Sequence, residues 1–68
     1  MKGAIIRDGK RIEVGQRVEI LAGPYASRFG IFRGRSRKQP GKIVVEPFPS
    51  HTRILIEAQS IRRAEPRQ

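Results

Sequence analysis

The chain predicts an all-β fold: a small, strongly bent five-stranded barrel with an added hairpin at its N-terminus. Three observations lead there. Apolar residues alternate with polar ones in short runs, which is the period of a strand rather than of a helix. Seven glycines and five prolines interrupt the chain every few residues, so helical patterning is poor. With 68 residues in all, five or six short strands cannot make a broad sandwich. They suit a sheet whose curvature closes it and removes exposed edges.

Each element has its own signal. AIIRDGKRIEV, residues 4–14, reads as a hairpin with β-branched arms around Asp8-Gly9. That dipeptide favours a two-residue type I′ turn, which would set Ile5 opposite Ile12. VGQRVEIL starts a strand after a glycine turn, with Val18 and Ile20 on one face and Arg17 and Glu19 on the other. GIFRGRS is the next strand, carrying Phe32 inward, bent by Gly34 and ended by polar residues. SRKQPG is a basic turn, and KIVVE follows with Ile43 and Val45 inward. PFPSH is expected to leave the sheet, because two prolines remove ladder donors. TRILIE resumes with Ile54 and Ile56 inward. AQS reads as one tight helical turn, IRR as a last short strand through Ile61, and AEPRQ as a frayed tail. The expected core is Val18, Ile20, Phe32, Ile43, Val45, Ile54, Ile56 and Ile61. The expected organisation is a hairpin over 1–13, a barrel over 14–63 and a tail over 64–68.

Length and composition bound the function. The chain makes one domain at most, and a core of this size rarely supplies more than roughly 3–5 kcal/mol. There is no cysteine and a single histidine, His51, so neither a thiolate nor a histidine-based metal site is expected, and no cofactor. The longest apolar runs, such as Ile43-Val44-Val45, are three residues, too short for a membrane span. MKGAIIRDGKR lacks the apolar stretch of a signal peptide, and a cytoplasmic monomer is the expectation.

Charge is the strongest bulk signal. Fifteen Lys and Arg face six acids, for a net +9. Eleven of the fifteen are arginine, whose planar fork matches phosphate and stacks on flat rings. No acid occurs from Ile20 to Val45, where Arg28, Arg33, Arg35, Arg37, Lys38 and Lys42 all fall. This clustering points to an anionic partner, with nucleic acid the usual one, rather than to solubility alone.

One stretch, ILAGPYASRFGIF, holds the clearest motif. Nine residues, AGPYASRFG, separate two strands and carry two glycines, a proline, Tyr25, Arg28 and Phe29. A plain hairpin would use a shorter and more polar turn. The glycines and Pro24 let the chain turn sharply. Tyr25 and Phe29 have two readings. They fold back as apolar cover for the barrel end, or they present flat rings to a base or to a partner's side chain. In the second reading Arg28, Arg33, Arg35, Arg37 and Lys38 hold phosphates around them.

The stretch GQRVEILAGPYASRFGIFRGRSRKQPGKIVV resembles the KOW motif, in the version carried by the C-terminal domain of the transcription factor NusG and by KOW-type ribosomal proteins. The matching elements are Gly15, the alternating Val18 and Ile20, then Gly23-Pro24-Tyr25 and Phe29-Gly30. TRILIEAQSIRR falls where that domain has its fourth strand, a short turn and its closing strand, so the resemblance spans about Val14 to Arg63. It implies an SH3-like five-stranded barrel of KOW type. Four departures carry expectations of their own. Arg35 replaces an apolar residue, so the second barrel strand should end early. The turn SRKQPG is about one residue longer. Ala58 replaces an often aromatic residue and should thin one side of the core. The N-terminal hairpin stands in place of the larger domain with which NusG holds RNA polymerase, so a full NusG role is not expected.

Function follows from these readings. The leading expectation is a non-catalytic nucleic-acid-binding module in transcription or translation. RNA is favoured over DNA, since no recognition helix is in view. Tyr25, Arg28, Phe29, Arg33, Arg35, Arg37, Lys38, Lys42 and Arg53 would form the binding face. The alternative is a protein-interaction module that binds a transcription or ribosomal protein through the same loop face or a sheet edge, as the resemblance to NusG implies. An enzyme is not expected. His51 between Ser50 and Thr52 has no evident orienting acid, and Asp8 is spent on its turn. A membrane-surface role lacks an amphipathic helix.

Overall fold

The structure is a computed structural model and describes residues 3–6, 9–49 and 52–64. Among these it is all-β, with no α-helix. A two-stranded hairpin, β1 (Ala4–Ile5) and β2 (Arg11–Ile12), precedes a five-stranded antiparallel sheet. The sheet holds β3 (Arg17–Ile20), β4 (Phe29–Arg35), β5 (Lys42–Pro47), β6 (Ile54–Glu57) and β7 (Ile61–Arg63). Its order is β6-β5-β4-β3-β7, and one 3-10 turn, Ala58–Ser60, links β6 to β7 as the AQS reading expected.

β4 is the middle strand, and its two-residue repeat organises the rest. Gly30, Phe32 and Gly34 are buried, while Phe29, Arg33 and Arg35 are exposed and Ile31 is half-buried. Phe32 is fully buried together with Val18 and Ile20 of β3, Val45 of β5 and Ile61 of β7; Ile43 is nearly so. Six of the eight residues expected in the core are therefore there. Ile54 and Ile56 are half-buried and pack against its margin, because β6 is a sheet edge with one neighbour. The hairpin supplies two residues the sequence reading left out, Ile6 and Ile12, both buried in the same cluster. Each adds about 1.5–3 kcal/mol of apolar burial to a small core. The described chain from Gly3 onward thus shares one core with the sheet.

Four local expectations are corrected. First, β1 and β2 pair Ala4 with Ile12 and Ile5 with Arg11, one residue away from the expected register. Ile6 N donates to Lys10 O and Gly9 N to Ile6 O, both at 2.9 Å, so three residues rather than two connect the arms. The connection ends on Gly9 at φ +79°, the left-handed glycine of a three-residue hairpin loop. The one-residue shift turns Ile5 outward and Ile12 inward. Arg7 and Asp8 themselves lie outside the described residues.

Second, β4 begins one residue earlier than the GIFRGRS reading, so Phe29 joins Gly30 in the strand instead of standing in the connection before it. A Cβ built on Gly30 would lie 2.8 Å from Glu46 O, 2.9 Å from Val45 Cγ1 and 3.0 Å from the Cα of Pro47. Only glycine lets β5 come this close. Third, β4 runs through Arg35, which pairs with Ile43, instead of stopping short of it. A bulge between Phe32 and Gly34 absorbs one residue, with Gly34 at φ +127°, and leaves the Arg35 side chain exposed at the strand end. Fourth, Pro47 continues β5, buried and paired with Gly30. The neighbouring bond comes from Phe48 N to Phe29 O at 2.8 Å, so this ladder needs no donor from the proline. On the other side, β6 pairs with β5 only as far as Ile54–Val45, so none is needed there either.

The tail reading is revised at one residue. Ala64 N donates to Arg17 O at 3.0 Å and continues the edge of β7. Residues 65–68 lie outside the described residues. Ala58 packs against the core margin and lines a hollow of about 470 Å³ with Ile5, Pro40 and Gln59, where a larger side chain would have filled space.

Two substitutions test this packing. Phe32→Ala should cost roughly 3–5 kcal/mol, comparable to the whole expected stability. It should be largely unfolded at room temperature by circular dichroism, whereas Phe32→Leu keeps the fold. Gly30→Ala should lose on the order of 1–3 kcal/mol, read as a lower urea midpoint. An unchanged midpoint would show that β4 and β5 are not held this closely.

Candidate nucleic-acid interface

The residues expected to bind fall into two groups, one at each end of β4. The first surrounds the β3–β4 connection, residues 21–28. That loop is tied tightly to the strand ends. Ser27 N donates to Ile20 O and Ile20 N to Arg28 O, both at 2.8 Å. Ala26 N donates to Gly23 O at 3.1 Å and Arg28 N to Tyr25 O at 3.0 Å. Ser27 takes φ +74°, a left-handed conformation that a serine adopts only where such bonds impose it.

Within this group the two aromatics separate. Tyr25 is half-buried and packs against the core, so its ring covers the sheet end. The exposed Arg28 lies over it, with Cζ 5.9 Å from the ring centre. Phe29 instead stands on the outer face of β4, 39% exposed. The apolar cap is the tyrosine, and the phenylalanine is the ring left in solvent.

Phe29 has company that the sequence reading missed. Phe48, just after β5, is 44% exposed. Arg17 of β3 reaches over both rings, 5.1 Å from the centre of Phe29 and 5.8 Å from that of Phe48. Cation–π contacts of this kind are worth about 0.5–1 kcal/mol at exposed sites. Phe48 could have been flagged by its place between two prolines, where it has no strand face to bury. Arg17 carried no local signal, since its partners are 12 and 31 residues away in sequence. Arg53 belongs to this end as well, and sits 3.7 Å from the Glu46 carboxylate.

The second group is formed by the far end of β4 and the basic turn. Roughly 20 Å of strand separates Phe29 from Arg35. The turn is held by Gln39 N on Ser36 Oγ at 3.1 Å and by Ser36 N on Lys42 O at 2.9 Å. Arg33, Arg35 and Arg37 line one open groove of about 560 Å³, floored by Gly34, Ser36, Pro40 and Gly41. Lys38 is exposed in the same turn, and Lys42 is half-buried where β5 begins, paired with Glu57 in the ladder. Among the described residues no carboxylate forms a salt bridge with Arg33, Arg37 or Lys38, whereas Glu13, Glu19 and Glu46 are engaged by Arg11, Arg62 and Arg53.

The basic cluster therefore does not encircle Tyr25. Exposed arginines gather on a groove at one end of β4 and exposed rings at the other. The sequence distance between Tyr25 and Arg37 is short, but an extended strand lies between them.

Among the described residues no group of three His, Asp or Glu could hold a metal ion, and no helix is long and apolar enough to cross a membrane. Ser50 and His51 lie outside the described residues. No protein-family model matches the chain, and neither a curated protein nor a solved structure matches it, so its function is argued from its own side chains.

Proposed function

We propose that this chain is a non-catalytic nucleic-acid-binding module, with RNA favoured over DNA, acting in transcription or translation. Its five-stranded sheet is read as a small SH3-like barrel of KOW type. The antiparallel order, the Gly30 close approach and the 3-10 turn before the closing strand support that reading.

The observation that carries the function is the groove of Arg33, Arg35 and Arg37. Guanidinium groups repel one another, so three on one groove favour an anion that neutralises them together. Arginine meets phosphate oxygens with two parallel N–H donors. Lys38 and Lys42 extend the positive edge. Such contacts position a backbone without reading sequence, so the groove gives affinity rather than base preference.

A second reading rests on Phe29 and Phe48. Two exposed rings under one arginine also suit a protein partner, in which a buried aromatic serves as an anchor and nearby charges form a rim.

Salt separates the two. Four to six phosphate contacts on a single strand give a slope of log K against log salt of about −3 to −4. Replacing Arg33, Arg35 and Arg37 together by Gln should flatten it by about 2. Arg37→Ala alone should weaken binding to every sequence and flatten the slope by nearly 1. On a protein surface the same change would cost less than about 1 kcal/mol. Fluorescence anisotropy with labelled single-stranded RNA at several salt concentrations measures all of these. Absence of binding at low salt to both RNA and DNA would favour the protein partner.

A further inference from the structure

Resting on that proposed function, we infer that the ligand is an unpaired single strand. It lies along the outer face of β4, with phosphates in the arginine groove and a base stacked at Phe29 and Phe48. The groove and the rings are not separate sites. β4 alternates up to its bulge, so Phe29 and Ile31 lie on the side opposite buried Gly30 and Phe32; Arg33 is exposed at the bulge and leads into the groove, and Arg35, paired with Ile43 beyond it, is exposed at the strand end. The outer face of β4 thus runs from an aromatic end to Arg33 at the edge of the groove.

The flanking charges permit this path. Glu19 pairs with Phe29 across the β3 ladder, and Glu46 pairs with Ile31 across the β5 ladder. Both would repel phosphate if bare. Glu19 is held by Arg62 at 2.7 Å, and Glu46 has Arg53 at 3.7 Å. At the middle of the path the acids are therefore compensated, and none lines the groove itself, the nearest in the ladder being Glu57 beside Lys42. Arg17 over the rings adds a flat cation on which a base also stacks.

The geometry excludes a duplex along this path. In a double helix the base faces are covered by their neighbours, and rings fixed on a sheet cannot reach them. A single strand presents its bases freely, and stacking tolerates any of them. Four residues separate Phe29 from Arg33, which is two steps along the strand, and the groove beyond the bulge adds about one more. At one nucleotide per step the path takes about four nucleotides, the short end of site sizes for small β modules. Ligands shorter than this reach one end only.

The test uses uridylate oligomers of two to ten nucleotides, an RNA duplex of ten base pairs, and inorganic tripolyphosphate as an anion without bases. Affinity for the oligomers should rise steeply until about four to six nucleotides and then level, as the second end becomes engaged. The duplex should bind at least tenfold more weakly than the decamer. The informative variant is Phe29→Leu with Phe48→Leu, which keeps apolar volume at both exposed positions and removes the rings. Phe48→Leu alone, outside the ladder, serves if the pair lowers the melting temperature. Loss of stacking should weaken the octamer by at least about 5-fold, up to about 150-fold, with the salt slope unchanged. Tripolyphosphate binding should not change. Arg33, Arg35 and Arg37 replaced by Gln should weaken both probes.

Octamer affinity unchanged in the leucine variants, with the arginine variant weakened, would overturn the path along β4 and leave the phosphate groove standing. Equal affinity for duplex and decamer would do the same. Failure of every probe to bind the wild-type protein at low salt would instead overturn the nucleic-acid function itself, and would turn the exposed rings toward a protein partner.

Discussion

The approach of β4 to β5 at Gly30 is the constraint on which the remaining structure depends. A side chain there would strike the backbone of Glu46 and Pro47, so the strand can be central only with glycine at this position. Once it is central, the two-residue repeat fixes every neighbour. Phe32 falls into the middle of the core, against β3 on one side and β5 on the other. Its even-numbered partners are small, which leaves the ring room and the flanking strands close. Phe29, Arg33 and Arg35 are left exposed, with Ile31 half-buried between them. In a core this small, losing one aromatic ring removes most of the margin.

Electrostatics divides along the same strand. Glu19 and Glu46 carry arginine partners and lie beside the aromatic half of β4. The other half has arginines on a groove with no acid in its lining. A net +9 spread evenly would attract anions weakly from all sides. The part of it gathered at the groove produces a local field that extends over about a Debye length of 8–10 Å at ordinary salt. Under the proposed function, that field would orient an incoming polyanion before it touches the surface.

Alternation made β3, β4 and β5 legible, because each has one buried face and its period survives in the sequence. Val18, Ile20, Phe32, Ile43 and Val45 follow from it directly. What failed was anything decided by a turn or by a distant neighbour. Asp8-Gly9 signalled a hairpin correctly, but one extra residue in the connection moved Ile5 outward and Ile12 into the core. Pro47 looked like a strand breaker until its pairing with Gly30 showed that no donor was required of it. Of the candidate site, the arginines of the groove were readable from charge and alternation. The roles of Tyr25 and Phe29 were not, since the cap and the exposed ring differ only in which strand residue they follow. Phe48 and Arg17 come together across strands, and no local spacing announces that meeting.

The pairing of β3 with β7 has a kinetic consequence. Val18 lies beside Arg63 and Ile20 beside Ile61, so the sheet is completed by residues more than forty positions apart. Such long-range closure costs chain entropy before it yields any contact, and folding of this kind runs in milliseconds to seconds rather than microseconds. Until β7 arrives, β3 presents a row of unpaired N–H and C=O groups beside Val18 and Ile20. A nascent or truncated chain is therefore sticky at that edge, and another copy's strand can add there as readily as its own. The net charge of +9 works against that association, by holding unfinished copies apart.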